Sequence, residues 1–234
     1  MKKILVVVLA YNEEKSIVNT VEKVISLGLD YVVINDASRD STEAILKARG
    51  YNYITHPINL GIGGGMATGW KYAYEKGYDS SVQFDGDGQH NGDEILAMYE
   101  KMKAEKADMV IASRFITKEG FQSTKLRKLG IQYISWLIKM LTGKKIYDPT
   151  SGFRLVSRRV MKLFFEDYPK DYPEQEKIVL ALKRGYRIVE VPTYMYEREH
   201  GVSSINFKRT LYYFFKVSLG IIFAAFERID EVEE

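Results

Sequence analysis

The sequence ILVVVLA (residues 4–10) is followed at once by YNEE (residues 11–14), and this abrupt change of polarity decides the interpretation of the fold. A continuous apolar run of this length is typical of a β-strand that is covered on both faces. Strands of that kind form parallel sheets between layers of helices, and ligands bind beyond their carboxyl ends. We therefore expect a first strand at residues 4–10 and functional side chains directly after it.

Short apolar runs and helical patterns alternate through the first half of the chain. The spacing of apolar residues predicts helices at Glu14–Leu27, Ser41–Arg49, Gly65–Lys76 and Asp93–Glu105. The runs between them predict strands at Tyr31–Ile34, Tyr53–Thr55, Val82–Phe84 and Met109–Ala112. This alternation indicates an α/β fold, with a mostly parallel sheet that is flanked by helices on both faces.

The second half of the chain carries two long apolar segments. Leu129–Leu141 is apolar almost all round, which requires burial or contact with lipid or with another protein. Ile205–Arg228 is a long apolar and aromatic helical segment near the end of the chain. Two shorter helices and a strand are predicted between these segments, at Ser157–Phe165, Pro173–Arg184 and Tyr186–Val191. We interpret residues 1–204 as one domain and residues 205–234 as a C-terminal amphipathic helix.

Composition restricts the class of protein. The 234 residues are 46% hydrophobic and include only 5 prolines, which is typical of a globular chain with a sizeable core. A net charge of +3 gives no reason to expect a nucleic-acid partner, and none is predicted. The lack of cysteine excludes disulfides, thiolate catalysis and zinc–thiolate sites.

The longest apolar stretch, residues 211–226, bears on membrane contact. It has 16 residues and is interrupted by Lys216. A membrane-spanning helix needs ~20 predominantly apolar residues. We therefore expect this segment to lie on a membrane rather than to cross it.

The most informative polar segment is DGDGQH, residues 85–90, after the predicted fourth strand. Residues i and i+2 of an extended chain point the same way, so Asp85 and Asp87 direct two carboxylates at one point, with the small Gly86 between them. Two carboxylates suit Mg²⁺ or Mn²⁺, and Gln89 offers a further oxygen. Asp-Gly pairs are also common turn formers, so the string alone leaves a turn and a metal site open. The polar segments after the other strands favour the metal site.

Two acidic residues after the first and second strands are consistent with a nucleotide pocket. Asp36 can accept a hydrogen bond from a base N–H group, and Glu13 can accept one from a ribose or a base. Each residue also has a structural explanation. Glu13 is an ordinary first-turn helix residue, and Asp36 or Asp40 can cap the next helix.

A glycine-rich segment, residues 59–65, follows the predicted third strand. It is not a dinucleotide-binding motif or a P-loop, because it lacks the last glycine of GxGxxG, does not follow the first strand and has no GK[ST]. Its glycines fit either a turn or a backbone that approaches a ligand and opens the next helix.

These motifs together resemble one enzyme family. They are AYNEE, NDASRDST, NLGIGGGMATG, QFDGDGQH, SRF, DPTSGFR and EREHGVSSI. From about Lys3 to Ile205, their order is similar to that of the inverting GT-A glycosyltransferases of family 2. The resemblance is greatest to the branch that includes dolichol-phosphate mannosyltransferase and bacterial polyprenyl-phosphate sugar transferases. Each motif alone is of modest specificity, but the set is highly specific and implies a GT-A, Rossmann-like fold.

The resemblance also implies three groups of site residues. The implied nucleotide pocket comprises Leu9, Tyr11, Glu13, Ile34, Asp36, Asp85 and Gly86. The implied DxD-type site for Mg²⁺ or Mn²⁺ comprises Asp85, Asp87 and Gln89. The implied phosphate or acceptor contacts are Arg114, Arg154, Arg198 and Ser203, with Ser204 beside them. The chain departs from the family pattern at Leu9, where Pro is frequent, at Asn35, where Asp is frequent, and at Ile62, where a basic residue is frequent.

The implied reaction is a metal-dependent, inverting displacement at the anomeric carbon of a nucleotide sugar, most often a UDP-sugar in this family. Asp87 and Asp85 are expected to act at the departing diphosphate through a metal that serves as Lewis acid. A polyprenyl phosphate acceptor is already an anion and needs positioning by arginines more than deprotonation. A saccharide hydroxyl, as in polysaccharide synthesis, needs a general base, for which Glu174 and Glu176 are the candidates. Both residues also fit the start of an ordinary helix.

Cations flank or interrupt the two long apolar segments, which is typical of helices that lie in a membrane interface and attract anionic lipid. We expect a peripheral enzyme on the cytoplasmic face of the membrane, with a small membrane protein as a candidate anchor. The rival interpretations of these segments are a homo-oligomer interface and ordinary core helices. A nucleotide-sugar-binding module without catalysis and a nucleotidyltransferase are less favoured, because the DGD string is intact and no glycine-rich phosphate loop follows the first strand.

Overall fold

The computed structural model describes residues 4–86, 90–117, 125–166, 173–194 and 207–227, without the side chains of residues 125–126, 173–174 and 207–212. Its strands are β1 (Ile4–Ala10), β2 (Asp30–Asn35), β3 (Tyr53–Thr55), β4 (Ser80–Asp85), β5 (Met109–Ser113), β6 (Arg154–Ser157) and β7 (Ile188–Pro192). Its helices are α1 (Ile17–Ser26), α2 (Thr42–Ala48), α3 (Gly61–Glu75), α4 (Glu94–Glu105), α5 (Lys125–Thr142), α6 (Arg158–Glu166), α7 (Pro173–Lys183) and α8 (Phe207–Phe226).

The strands form one sheet in the order β3-β2-β1-β4-β6-β5-β7. Neighbouring strands pair in parallel except at β6, which runs antiparallel to both β4 and β5. The predicted α/β fold with a mostly parallel sheet is confirmed. The sequence pattern does not reveal β6, because its 4 residues are too few to show a period and lead directly into α6.

Strand β1 is buried on both faces, as its continuous apolar run predicts. Leu5 and Val7 contribute to the hydrophobic cluster on one face of the sheet, and Val6 and Val8 contribute to the cluster on the other. All four side chains are fully buried. The helices therefore cover both faces of the sheet. The part that stays open is the side where the strands end, which we call the carboxyl edge.

Helix α3 begins four residues before the predicted start at Gly65, because the glycine-rich segment is itself helical. Gly61, the first residue of α3, has a φ of +75°, a left-handed conformation that glycine adopts without a steric penalty. Farther along the helix, Gly69 packs directly on β1. A Cβ atom at position 69 would overlap the methyl groups of Val7. The glycines of this segment therefore serve both the start of the helix and its close approach to the sheet.

The predicted C-terminal amphipathic helix is confirmed as α8. Its buried side chains Val217, Ile221 and Ala224 belong to the same hydrophobic cluster as Ile134 and Ile138 of α5. Its other side exposes large apolar side chains to solvent. Among the described residues, we find no helix with the length and apolar character required to span a membrane.

We expect Gly69→Ala to lower the free energy of unfolding by about 1–3 kcal/mol, because the added methyl group must displace Val7 in a closely packed core. At an exposed helical position the same change would stabilise the protein by up to about 1 kcal/mol. Denaturant unfolding measures the difference. Lys71→Ala, on the solvent side of the same helix, is the control and should change the stability by less than about 0.5 kcal/mol. A more stable Gly69→Ala variant would contradict the close contact.

Candidate active site

Three residues of the predicted nucleotide pocket lie side by side at the carboxyl edge of the sheet. In the parallel register, Leu9 of β1 pairs with Ile34 of β2 on one side and with Asp85 of β4 on the other. Gly86 continues this alignment, since its N–H donates to the carbonyl of Leu9 over 2.9 Å. A Cβ atom at position 86 would lie 2.6 Å from that carbonyl oxygen, so the position requires glycine.

The loops after β1 and β2 are joined by hydrogen bonds in both directions. Three consecutive backbone N–H groups, those of Asn12, Glu13 and Glu14, donate to the side chains of Ser38, Thr42 and Asp40, respectively. Two N–H groups of the second loop, those of Arg39 and Ser41, donate to the side chains of Asn12 and Glu14. The polar residues that the sequence places after two separate strands therefore form one rigid unit.

Asp40 is the acidic residue that organises the start of α2. Its Oδ1 atom accepts hydrogen bonds from the N–H of Thr42 over 3.0 Å and from the hydroxyl of Thr42 over 2.6 Å. Burial raises the pKa of Asp40, but the hydrogen bonds from Thr42 and from the N–H of Glu14 outweigh burial and lower the pKa below its usual value. The alternative interpretation of Asp40 as a helix cap is confirmed in this form, whereas Ser41 makes no side-chain cap hydrogen bond.

Glu13 and Tyr11 lie beside this unit. The carbonyl of Glu13 accepts the N–H groups of Ser16 and Ile17, and this turn makes α1 begin at Ile17 rather than at the predicted Glu14. The carboxylate of Glu13 accepts the hydroxyl of Ser16 over 2.7 Å. Its Cγ atom lies 3.6 Å from the position of a Cβ atom at Gly86, so Glu13 and Gly86 are neighbours. Tyr11 is 44% exposed at the same edge.

Asp36 is almost fully buried, and its carboxylate caps α3. Oδ1 and Oδ2 accept the N–H groups of Leu60 and Gly61, each over 2.8 Å. Oδ1 also lies 2.8 Å from Nδ1 of His56, and Nε2 of His56 lies 2.9 Å from the hydroxyl of Thr68. His56 directly follows β3, and no motif of the sequence indicates this role. Asp36 thus has structural hydrogen bonds, and its contact with a base stays a prediction.

Asp85 has a supported backbone and a carboxylate that is 38% exposed. The buried His90 contacts both the backbone and the carboxylate of Asp85. Its Nδ1 atom accepts the N–H of Asp85 over 3.2 Å, and its Nε2 atom lies 3.6 Å from Oδ2 of Asp85. His90 stacks on Phe153 with a centroid distance of 4.8 Å and an interplanar angle of 10°. His90 is therefore a site residue that its position next to the DGDGQ string could have indicated.

The donor chemistry at Asp85 fits the predicted cation. A half-exposed carboxylate at an open edge is the hard oxygen ligand that Mg²⁺ and Mn²⁺ prefer. The other two predicted ligands, Asp87 and Gln89, lie outside the described residues. Within the residues that are described, no group of three or more acidic or histidine side chains could hold a metal ion.

Arg114 and Arg154, which the family resemblance places near phosphates, both hold the loop Tyr147–Gly152. Arg114 forms a bidentate pair with the fully buried Asp148, with Nε–Oδ2 and Nη2–Oδ1 distances of 2.7 and 2.8 Å. Arg154, which is 1% exposed, donates to the carbonyl oxygens of Ser151 over 2.6 Å and of Pro149 over 2.8 Å. Contacts of either guanidinium with a phosphate stay predictions. The sequence motifs do not indicate that Asp148 pairs with Arg114.

The remaining predicted residues are placed only in part. The carboxylate of Glu176 packs against α8, with Oε2 3.0 Å from the position of a Cβ atom at Gly220. The side chain of Glu174 lies outside the described part of the chain, as do Arg198, Ser203 and Ser204. The structure therefore brings together Leu9, Glu13, Ile34, Asp85 and Gly86, and it leaves the role of Glu174 and Glu176 as a prediction.

The comparisons define the class of protein. Residues 5–165 match the sequence model of glycosyl transferase family 2, and the chain belongs to this family. It is therefore a glycosyltransferase. The fold agrees: glucosyl-3-phosphoglycerate synthase of Mycobacterium tuberculosis, solved with Mn²⁺ and UDP-glucose, superposes with a TM-score of 0.68 at 18% identity, covering 98% of this chain and 81% of that chain.

Two curated relatives indicate the branch. A UDP-N-acetylglucosamine–dolichyl-phosphate N-acetylglucosaminyltransferase of Methanococcus voltae is 32% identical, over 82% of this chain and 84% of that protein. An undecaprenyl-phosphate mannosyltransferase of Micrococcus luteus is 27% identical, over 86% of this chain and 88% of that protein. The resemblance to polyprenyl-phosphate sugar transferases that the motifs suggest is confirmed.

We expect Thr42→Val to lower the free energy of unfolding by about 1–3 kcal/mol, because it leaves the N–H of Glu13 without its acceptor in the joined loops. Thr42→Ser keeps the hydroxyl and is the matched control, with a smaller loss. Urea unfolding of both variants tests the joining of the two loops. Equal stability of Thr42→Val and the wild type would show that the loops do not depend on this hydrogen bond.

Proposed function

We propose that the protein is a metal-dependent, inverting transferase that moves a sugar from a nucleotide donor, a UDP-sugar, to a polyprenyl phosphate. The observation that carries this proposal is the alignment of Leu9, Ile34 and Asp85 at one edge of the sheet. A nucleoside can lie along the first two residues while its diphosphate lies at the third. The names of the two curated relatives supply the acceptor class, and one of them names a UDP-sugar.

The donor diphosphate carries the charge that the site must neutralise. Asp85, with the predicted Asp87 and Gln89, would hold Mg²⁺ or Mn²⁺, which supplies Lewis-acid stabilisation of the departing diphosphate. The related fold that binds Mn²⁺ and UDP-glucose supports this assignment. His90 fixes the backbone of Asp85, and Gly86 allows the chain to run against Leu9 without steric conflict. These residues keep the carboxylate at the sheet edge before the donor arrives.

Two arginines support a phosphate acceptor rather than a hydroxyl. Arg127 is exposed to solvent, yet partial desolvation by the surrounding protein lowers its pKa. The nearby guanidinium of Arg114 lowers this pKa further, while Tyr213 and Asp148 raise it. An arginine side chain is a cation in proteins. An anion between Arg114 and Arg127 would relieve their repulsion. A phosphate oxygen is already ionised, so it can attack the anomeric carbon without a general base, on the face opposite the departing diphosphate.

A membrane surface would deliver such an acceptor, and the structure has a suitable face. Helices α5 and α8 each expose a row of apolar side chains at helical spacing. The rows are Leu129, Tyr133, Trp136 and Met140 on α5, and Phe215, Leu219, Ile222 and Phe226 on α8. The hydroxyl groups of Tyr133 and Ser218 lie 3.1 Å apart and link the two helices. We assign this double row, with its neighbouring lysines, to the cytoplasmic surface of a membrane that contains anionic lipid.

We expect Asp85→Asn to abolish sugar transfer, with a loss of turnover of at least about 100-fold, since the neutral amide no longer balances the cation. Transfer from a panel of radiolabelled nucleotide sugars to a short-chain polyprenyl phosphate, with Mn²⁺, measures it. Glu176→Gln is the matched carboxylate-to-amide control and should stay within a few-fold of the wild type. A loss of orders of magnitude in Glu176→Gln, or in Glu174→Gln, with donor binding intact, would favour a saccharide hydroxyl as acceptor. Retained transfer in Asp85→Asn would overturn the metal-dependent mechanism.

We expect the double variant Trp136→Glu/Phe223→Glu to lose co-sedimentation with vesicles that contain anionic lipid. Trp136, in the α5 row, is 56% exposed, and Phe223, beside the α8 row, is 70% exposed. The variant replaces both apolar side chains with negative charges, which anionic lipid repels. Ile25→Glu, at an exposed apolar position on α1, is the control and should bind vesicles as the wild type does. Unchanged vesicle binding would contradict the membrane assignment. A shift of the variant from oligomer to monomer in size-exclusion chromatography would instead assign the face to a homo-oligomer.

A further inference from the structure

Glu190, in β7, binds the first two residues of the Tyr147–Gly152 loop. Its Oε2 and Oε1 atoms accept the N–H groups of Tyr147 over 2.7 Å and of Asp148 over 2.8 Å. Burial raises the pKa of Glu190, and the two N–H groups and the hydroxyl of Ser113 counteract this effect only in part. A carboxylate that accepts two successive backbone N–H groups fixes the direction of the chain between them, which a single hydrogen bond does not.

The loop is held along the rest of its length by two arginines. Arg114, directly after β5, binds the side chains of Asp148 and Thr150. Arg154, in β6, binds the carbonyl oxygens of Pro149 and Ser151. Together with Glu190, these contacts come from three neighbouring strands of the sheet. Unlike Arg114, which binds side chains of the loop, Glu190 binds backbone N–H groups of the loop.

The far end of the loop meets Asp85 by two routes. At Gly152 the backbone is so close that a Cβ atom would lie 3.5 Å from Oδ2 of Asp85 and 2.8 Å from Nε2 of Gln83. The next residue, Phe153, stacks on His90, whose Nδ1 atom accepts the N–H of Asp85. A displacement of the loop would therefore change both the space beside the Asp85 carboxylate and the ring that supports its backbone.

We propose that Glu190 is a positioning residue that sets the geometry of Asp85 through the Tyr147–Gly152 loop. The part that concerns metal affinity rests on the proposed function, because it takes Asp85 as a ligand of Mg²⁺ or Mn²⁺. The part that concerns the loop and the backbone of residues 84–86 does not rest on the proposed function. Glu190 does not contact the reacting groups in this proposal; it acts only through the residues that it orders.

Glu190→Gln is the discriminating variant, because an amide has one acceptor oxygen and presents an NH₂ group to the other backbone N–H. Asp108→Asn is the matched control: its carboxylate accepts the N–H of Arg187 over 3.0 Å at the opposite edge of the sheet. Hydrogen–deuterium exchange of both full-length variants reports on the backbone. We expect faster exchange at residues 147–153 and at residues 84–86 in Glu190→Gln, and at neither segment in Asp108→Asn. Unchanged exchange at residues 84–86 in Glu190→Gln would overturn the proposal.

Direct Mn²⁺ titration, followed by the electron paramagnetic resonance signal of free Mn²⁺, reports on the ligand. We expect Glu190→Gln to bind Mn²⁺ ~10-fold or more weakly, as is typical for the loss of an outer-shell contact. Asp108→Asn should stay within about two-fold, since it lies far from the site. The Mn²⁺ concentration for half-maximal turnover should rise in parallel, and saturating Mn²⁺ should restore turnover. A loss of turnover that saturating Mn²⁺ does not restore would overturn the positioning role.

A double-mutant cycle with Gly152→Ala tests whether Glu190 acts through the loop. A Cβ atom at position 152 would lie 2.8 Å from Nε2 of Gln83 and 3.5 Å from Oδ2 of Asp85, so Gly152→Ala narrows the space beside the Asp85 carboxylate and should weaken Mn²⁺ binding on its own. If both changes act through one loop, the affinity of the double variant for Mn²⁺ should be about equal to that of the single variant that binds Mn²⁺ less tightly. Independent, multiplicative losses would overturn the route through the loop. Failure of the proposed function is distinguishable, because the wild type would then neither bind Mn²⁺ nor transfer sugar. Hydrogen exchange would still show whether Glu190 controls the backbone of residues 84–86.

Discussion

The parallel pairing of β1 with β2 and β4 is the constraint on which the candidate site depends. This pairing aligns Leu9, Ile34 and Asp85 across three strands, and the hydrogen bond from Gly86 to Leu9 extends the alignment past the end of β4. Pairing in the sheet therefore places the backbone of Asp85 beside that of Leu9. Contacts with the loops then orient the side chains at the carboxyl edge of the sheet.

Buried charged groups fix those loops. Asp36, Asp148 and Arg154 are almost completely removed from solvent, and each makes hydrogen bonds to a neighbouring loop. A buried charge without such partners would destabilise the fold by several kcal/mol, so these residues strongly favour a single loop arrangement. A site that must place a donor sugar, a cation and an acceptor needs this rigidity, because a small misplacement costs a large factor in rate.

The sequence allowed most of the architecture to be predicted, because burial on two faces and helical periodicity leave direct traces in residue order. It also placed Leu9, Ile34 and Asp85 in one pocket through the family resemblance. Strand β6 escaped prediction because a 4-residue strand has no recognisable period. The role of Asp148 was not predicted, because its partner Arg114 lies 34 positions away and no local pattern records such a pair. His90 lies next to the DGDGQ string, but its stacking on the distant Phe153 leaves no trace in the sequence.

The sequence by itself determined the alternation of strands and helices, the polar segments that follow the strands and membership of glycosyl transferase family 2. Tertiary structure decided what each polar side chain does with its hydrogen bonds. Arg114 and Asp36 could each have faced solvent or ligand on sequence grounds, yet one pairs with Asp148 and the other caps α3. The physical reason is that hydrogen bonding depends on distance in space, and residues separated by 34 and 25 positions become neighbours only when the sheet is complete.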